Sequence, residues 1–470
     1  MILKMADLLI ENGTVYIPSG FVRAGVAIEG GKIVAIAKES HLPKADMTVD
    51  AEGKFVLPGI IDIHMHMREP GYTAKEDYLT GTQAAAAGGI TFVCPQPNVN
   101  PAPNNVEKYL LQVELGEKKA VVDFNPVASP LLYERGQVPE LAKAGTVYFK
   151  IFQKVTKYPY DTEAGTSNTA HVYKAFKAVA PTGLYCAVHP CNEDVLTETL
   201  NDLERDGRRG DYDAYWGSTY VSDELTSAAV QLNWFSEKAK CKYMAFHCWL
   251  KEYLDLVRMI KKQRKVGFLA EVEAFGAFAI LRQEAKELHR PHPAFEKENQ
   301  EATWKALRDG AIDVMGTDHS PTLREDVIES RRSGKPENRG GGFPMLETYV
   351  PLMLTAVNKG MLGNGTEGLQ RMVSLCSERI AKELRLYPEK GAIQVGSDAD
   401  ITIVDIKRDE TITDEKHARY TKVHWTPFVG RKVQGLPTHT IVRGTIVMEE
   451  GEILVKPGYG NFVKPIVNRQ

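Results

Sequence analysis

The chain has 470 residues, a formal net charge of -3, 43% hydrophobic and 25% charged residues, which is the composition of an ordinary soluble globular protein. Disordered, collagen-like and low-complexity classes are excluded, and 58 Lys+Arg against 61 Asp+Glu leave no global field to draw the chain onto nucleic acid or an anionic membrane. This length exceeds what one hydrophobic core usually serves, so one large domain and a smaller companion are expected.

The N-terminal segment MILKMADLLIENG carries Lys4 and Asp7 and lacks a long apolar core, so it does not read as a signal peptide. Short strands follow, DLLIENGTVYI and AGVAIEGGKIVAIA, with Asn12-Gly13 and Gly30-Gly31 as hairpin turn signals. The other end of the chain reads the same way, in GSDADITIVD and HTIVRGTIVMEEGEILV. One small β-sandwich domain assembled from both ends is expected, with residues 1–56 and 389–470 contributing to it.

The middle, residues 57–388, alternates. Eight apolar strand candidates recur: FVLPGIIDIHMH (55–66), GITFVCPQ (89–96), VVDFNP (121–126), VYFKIF (147–152), LYCAVH (184–189), KYMAFH (242–247), VGFLAEVE (266–273) and AIDVMGTDH (311–319). Between them lie helix-like stretches such as NVEKYLLQVELGEKK, TSAAVQLNWFSEKAK and LDLVRMIKKQRK. Near-continuous apolar strands alternating with helices predict a parallel sheet covered by helices, and eight such units predict a (β/α)8 TIM barrel. The uncharged run from Tyr78 to Val106 contains Gln83, Gln96, Asn98, Asn100 and four prolines, so it is not a membrane span.

The chemistry lies at the strand ends. Strand one ends in His64-Met65-His66, four near Lys150, five in His189, six in His247 and eight in Asp318-His319. The carboxyl ends of barrel strands form the active-site face, so these side chains converge there, and His64 and His66, two apart on a strand, share a side from which both reach one ion. An HxH alone is weak evidence; five potential ligands each closing an apolar strand predict a metal site. Lys150 sits inside an apolar strand, where an ammonium is costly. Its head either escapes to solvent or a carboxylate, or the neutral amine takes up carbon dioxide and becomes an anionic ligand able to bridge two metals.

In these segments, PGIIDIHMHMREPG, AAAAGGITFVCPQPN, YFKIF, AVHPCN, AFHCW, ALRDGAIDVMGTDHSP and YPEKGAIQVGSDADITIVD, followed by HWTPFVGRKVQG and IVRGTIV, the chain resembles the amidohydrolase superfamily. Within it, it is similar to the cyclic amidohydrolases: dihydroorotases, allantoinases, hydantoinases and dihydropyrimidinases. The resemblance implies that His64 and His66 bind the more buried of two divalent ions, carboxylated Lys150 bridges both, His189 and His247 hold the second, and Asp318 ligates the first and shuttles protons. It implies zinc, with manganese, iron or cobalt able to take the same ligands. The expected activity is hydrolysis of a cyclic amide or ureide by a hydroxide formed at the two ions, and the expected assembly is a homodimer or homotetramer. Arg68 and Asn98 match positions where dihydroorotases hold the substrate carboxylate, which a guanidinium grips well; otherwise Arg68 pairs with Glu69 or Asp77. His319-Ser320-Pro321 is more similar to allantoinases, and the tail with GYGNF to hydantoinases and allantoinases.

Departures accompany the match. His189-Pro190-Cys191-Asn192 replaces the usual His-Ala-Glu-Asn, and Ala274-Phe275-Gly276 stands where Pro-His-His is usual. His292-Pro293-Ala294-Phe295 lies in place of an Asn-Pro-Pro-Leu-Arg run, and Val155 takes the place of an oxyanion-donating tyrosine, with Tyr158 and Tyr160 nearby. The glycine-rich, basic RRSGKPENRGGGF (331–343) lacks phosphate-loop spacing and reads as a loop over the barrel mouth. The six cysteines, Cys94, Cys186, Cys191, Cys241, Cys248 and Cys376, lack CxxC spacing and read as buried thiols of a reducing, cytoplasmic compartment. Three alternatives compete with this activity: a scaffold lacking the ligands, a mononuclear deaminase without need of Lys150, and an amidase acting on another cyclic imide or on linear N-acyl substrates.

Overall fold

The structure, a computed structural model, describes residues 5–153, 163–335 and 342–466. Val155, Tyr158 and Tyr160 lie outside the described residues.

Eight parallel strands form the barrel: Ile60–Met65, Ile90–Pro95, Asp123–Phe124, Tyr148–Phe152, Tyr185–His189, Lys242–Ala245, Phe268–Glu273 and Val314–Gly316. The first three hydrogen-bond as one arc and the last five as another. Two bridges join the arcs, Ala128 to Phe149 and Met65 to His319, sealed by Lys150 N–H donating to Ala128 O (3.0 Å) and His66 N–H to His319 O (2.7 Å). Closure therefore runs through the backbone of two predicted site residues. Helices cover the outside, including Val106–Lys119, Ser222–Lys238 and Lys251–Gln263, each overlapping a predicted helix within a few residues.

The barrel interior is filled by Ile61, Ile63, Phe92, Cys94, Tyr148, Ala187, Met244, Phe246, Leu269 and Val314. Each large apolar side chain so buried contributes about 1.5–3 kcal/mol. Lys150 and Glu271 follow Tyr148 and Leu269 by two residues, so the same strand faces that pack the interior deliver them to its upper end. At Gly316 an added Cβ would lie 2.7 Å from the Cβ of His64, so strand eight passes His64 only because it carries no side chain there.

Both chain ends build the companion domain. Ala6–Ile17, Gly20–Glu29, Lys32–Ala37, Ala45–Asp50 and Phe55–Pro58 join Ile401–Thr411, Lys432–Val442, Thr445–Glu449 and Glu452–Ile453 in a nine-stranded sheet. Leu8, Ile10, Val26, Ile28, Val56, Ile401, Ile403 and Ile441 share a core of their own there. Two local expectations are corrected. Gly30-Gly31 makes a hairpin turn, but Asn12-Gly13 lies inside a continuous strand, where Asn12 at φ 59 forms a bulge that shifts the register. The run 55–66 is two strands: the first pairs with Ile401–Val404, and the second enters the barrel beyond Gly59, whose Cβ would sit 2.1 Å from Thr91 Oγ1.

Lys390 ties the two parts together. Its ammonium lies 2.6 Å from Asp123 on strand three, 2.6 Å from Asp400 and 3.0 Å from Asp398. The tail continues the short third strand, with Asn461 O accepting from Phe124 N–H and Phe462 packing near Phe124 and Tyr109. All six cysteines are buried, and none is joined in a disulfide. Among the described residues no helix is long and apolar enough to cross a membrane.

Candidate metal centre

His64, His66, Lys150, His189 and His247 are all buried and meet at the carboxyl ends of the strands, while the Asp318 side chain stays 14% exposed. His247 (φ 64) and Asp318 (φ 46), with the neighbouring Arg68 (φ 60), take up left-handed backbone just past their strands. Each such residue costs about 1–2 kcal/mol, a strain that persists where the surrounding fold over-determines the turn.

Asp318 Oδ1 lies 2.9 Å from His66 Nε2 and 3.3 Å from His64 Nε2. These three residues form one group able to hold an ion, and His247, Glu273 and Asp318 form a second. His189 Nδ1 and His247 Nε2 approach to 2.7 Å. The other ring nitrogens face acceptors: His64 Nδ1 meets Glu271 Oε1 at 3.0 Å, His247 Nδ1 meets Glu273 Oε1 at 2.9 Å, and His66 Nδ1 meets Asn98 Oδ1 at 2.6 Å. An amide or carboxylate oxygen only accepts, so in each ring Nδ1 carries the proton and Nε2 presents its lone pair. Trp249 Nε1–H also donates to Glu273, at 2.5 Å. Burial drives the three rings below the ordinary imidazole range, His66 to about 3 and His247 to about 4. Neutral rings are what a cation requires of them.

Lys150 has no hydrogen-bond partner for Nζ among the described residues and lies 3.6 Å from the centre of the Phe246 ring. Burial lowers its pKa to about 7, although Glu271, Asp318 and Glu273 pull the other way. Burial thus favours the neutral amine, the form that adds to carbon dioxide. Glu273 is pushed well above the carboxylate range by burial and then by the charges of Glu271 and Asp318. Three acids crowded among neutral imidazoles, beside an orphaned buried amine, form a donor set that divalent cations fit.

Glu271 and Glu273 were not singled out from the sequence, although the signal was present: Glu-Val-Glu closes strand seven with the same two-residue spacing as His-Met-His. Asp62 was also missed. Its carboxylate accepts from the backbone of His64 and Thr317 (3.0 Å each) and from Thr317 Oγ1 (2.5 Å), pinning strand one to strand eight.

The expected substrate residues lie differently. Asn98 borders the cleft formed by His64, His66, Phe152, His189, His247, Asp318 and Ser320, with its oxygen engaged by His66. Arg68 is buried and Nη2 donates to Ser320 Oγ at 2.5 Å. Glu69 is engaged by Lys119 and the Tyr78 backbone, while Asp77 caps the helix Tyr78–Ala87 and pairs with Lys422. A second cavity shares His189, His247 and Asp318 with the cleft and extends past Tyr220, Trp249, Phe275, Arg290, His292, Gly342 and Phe343. Gly342 and Phe343 belong to the predicted mouth loop, of which residues 336–341 lie outside the described residues. Arg290 is 3% exposed, packs 4.6 Å from the Trp216 ring and 4.8 Å from Phe343, and its Nε and Nη1 have no hydrogen-bond partner among the described residues. An unsatisfied buried donor costs about 1–3 kcal/mol, more when charged. Contacts to ring faces return about 0.5–2 kcal/mol without satisfying either N–H.

An eight-stranded barrel with candidate metal ligands at its mouth falls in the class of metal-dependent barrel hydrolases. Residues 55–447 match the Amidohydrolase family. An L-hydantoinase from Paenarthrobacter aurescens is 30% identical over 473 residues, covering 98% of this chain and 98% of its own. A dihydroorotase from Methanosarcina acetivorans is 31% identical over 478 residues, covering 98% of this chain and 96% of its own. The solved structure of an L-hydantoinase (dihydropyrimidinase) from Arthrobacter aurescens superposes with a TM-score of 0.88 at 27% identity, over 98% of this chain and 100% of its own. The dihydropyrimidinase of Brevibacillus agri gives 0.85 at 25%, over 98% and 99%. The chain belongs to the amidohydrolase family.

Proposed function

We propose that the protein is a cyclic amidohydrolase, opening the ring of a cyclic amide or ureide at its C–N bond. The observation that carries this reading is the meeting at the barrel mouth of two groups that share Asp318, His64 and His66 in one and His247 and Glu273 in the other, beside Lys150, whose Nζ has no hydrogen-bond partner among the described residues. In this reading His64, His66 and Asp318 would hold one divalent ion, His189 and His247 would hold the other, and Lys150, once carboxylated, would serve as a ligand to both. Zinc is the ion that imidazole and oxygen ligands favour. Metal bound there would supply Lewis-acid chemistry: a water acidified near neutral pH and a polarised ring carbonyl.

The chain's own residues do the rest. Asp318, the partly exposed member of the cluster, accepts the proton of the attacking water at Oδ1 or Oδ2 and returns it to the departing ring nitrogen, leaving a ureido or amido acid. Asn98 borders the cleft, has an Nδ2 without a partner among the described residues, and contacts the ring. Arg68 bears on substrate through Ser320, which lines the same cleft. Six buried cysteines outside any disulfide support a reducing, cytoplasmic setting. Assembly as a homodimer or homotetramer follows the family resemblance.

The test is a hydrolysis screen of dihydroorotate, allantoin, hydantoins, dihydrouracil and cyclic imides with zinc- and manganese-loaded protein, alongside metal analysis. Ring opening with close to two divalent ions per chain is expected. Full activity in protein holding no metal would end the reading.

A further inference from the structure

We propose that Arg290 is a specificity-determining residue, receiving a carboxylate carried on a short arm of the substrate ring in the aromatic side pocket beside the metal centre. The inference rests on the reading above that the adjoining cleft is where the ring is opened. Four observations support it. Arg290 is buried, and two of its nitrogens have no hydrogen-bond partner among the described residues. No ion pair of Arg290 occurs among the described residues, whereas the equally buried Lys390 sits on carboxylates. The cavity it lines adjoins the reaction cleft, the two sharing His189, His247 and Asp318 as walls. A guanidinium fixed among Trp216, Tyr220 and Phe343 is already oriented, so a carboxylate gains paired hydrogen bonds without first ordering the side chain.

A second donor stands beside it. Nδ1 of His292 accepts the backbone N–H of Ala294 at 3.2 Å, which leaves the ring proton on Nε2. The ring stacks on Tyr220 with centroids 5.2 Å apart and meets Trp249 edge-on at 4.6 Å, so its plane is set from two sides. Burial and then the charge of Arg290 keep it neutral at ordinary pH. The pocket therefore offers one fixed positive charge and one neutral N–H donor between apolar walls. That combination selects an anion on a flat or apolar arm and rejects both a cation and an unadorned ring.

The test compares two ligands that differ in charge alone, 5-carboxymethylhydantoin and its carboxamide. Binding to the metal-loaded enzyme is measured by calorimetry and ring opening by release of the ureido acid. Wild-type enzyme is expected to bind the carboxylate at least tenfold more tightly, about 1.4 kcal/mol. R290M should bring the ratio of the two constants close to one, while R290K keeps part of it. Equal binding of both compounds by the wild type, or a preference that survives in R290M, would overturn the inference, and the wild-type comparison decides even if R290M does not fold. Ring opening of both without preference would overturn the inference and leave the proposed function intact. Tight, charge-selective binding with no turnover of any ring in the screen would do the reverse.

Discussion

Asn98 Oδ1 lies 2.6 Å from His66 Nδ1, so a residue expected to touch substrate also fixes the tautomer of a candidate metal ligand. The consequence is measurable. Removing an acceptor of this kind typically lowers metal affinity 10–100-fold, because the imidazole is freed to rotate and to exchange tautomers. Asn98→Ala should therefore weaken ion retention by that factor in a chelator competition titration. If Asn98 served the substrate alone, KM would rise while retention stayed at the wild-type level.

Lys150→Ala tests the amine directly. A buried lysine whose pKa falls to about 7 and whose Nζ has no partner among the described residues gains nothing structural from its charge. The substitution should lower the metal content from close to two ions per chain and reduce ring opening by at least a hundredfold. Short carboxylic acids should restore part of both, by filling the space with an anionic oxygen pair. Unchanged metal content and activity would make the lysine a packing residue.

Much of this was legible in the chain because the barrel's parallel strands, buried on both faces, read as apolar runs and end in residues that no apolar run would otherwise carry. His64, His66, His189, His247 and Asp318 announced themselves in that way. Glu271 and Glu273 did not, since acids at a strand end resemble solvent-facing polar residues until the fold shows both fully buried. Arg290 was less legible still. It sits in HRPHPAF, a loop with no periodicity, and its significance lies in partners it lacks, a property that only coordinates reveal. The bulge at Asn12 was hidden for a related reason: Asn-Gly favours the left-handed conformation equally in a hairpin turn and in a bulge, and the choice is made by strand pairing far away.

Lys390 sets up a stability prediction independent of the site. Its ammonium neutralises Asp123 and Asp400, both buried, and the half-buried Asp398, across the junction of barrel and companion domain. Breaking a buried ion pair by removing one partner costs about 3–5 kcal/mol, because the remaining charges stay desolvated. Lys390→Met should lower the unfolding free energy by that amount in urea titration, with the metal content unaltered. A loss under about 1 kcal/mol would show that Arg443, which also contacts Asp123, carries the junction alone.

Glu347 makes stability depend on pH with a definite sign. Burial pushes its carboxyl up to about 8 from 4.5, against two backbone N–H donors from Tyr420 and Arg419 that favour the charged form. Its Oε2 has no hydrogen-bond partner among the described residues. A carboxyl whose pKa is higher folded than unfolded binds its proton more tightly in the native state. Its contribution is therefore complete below pH 4.5 and is lost progressively as pH rises toward 8, at up to about 1.4 kcal/mol per pH unit. Glu347→Gln keeps an oxygen to accept the Tyr420 N–H and removes the ionisation. Between pH 5 and 8.5 the wild type should lose stability relative to this variant, with the difference in denaturant midpoint growing steadily and levelling off above pH 8. A constant difference across that range would mean that Glu347 is already ionised in the folded protein at pH 5.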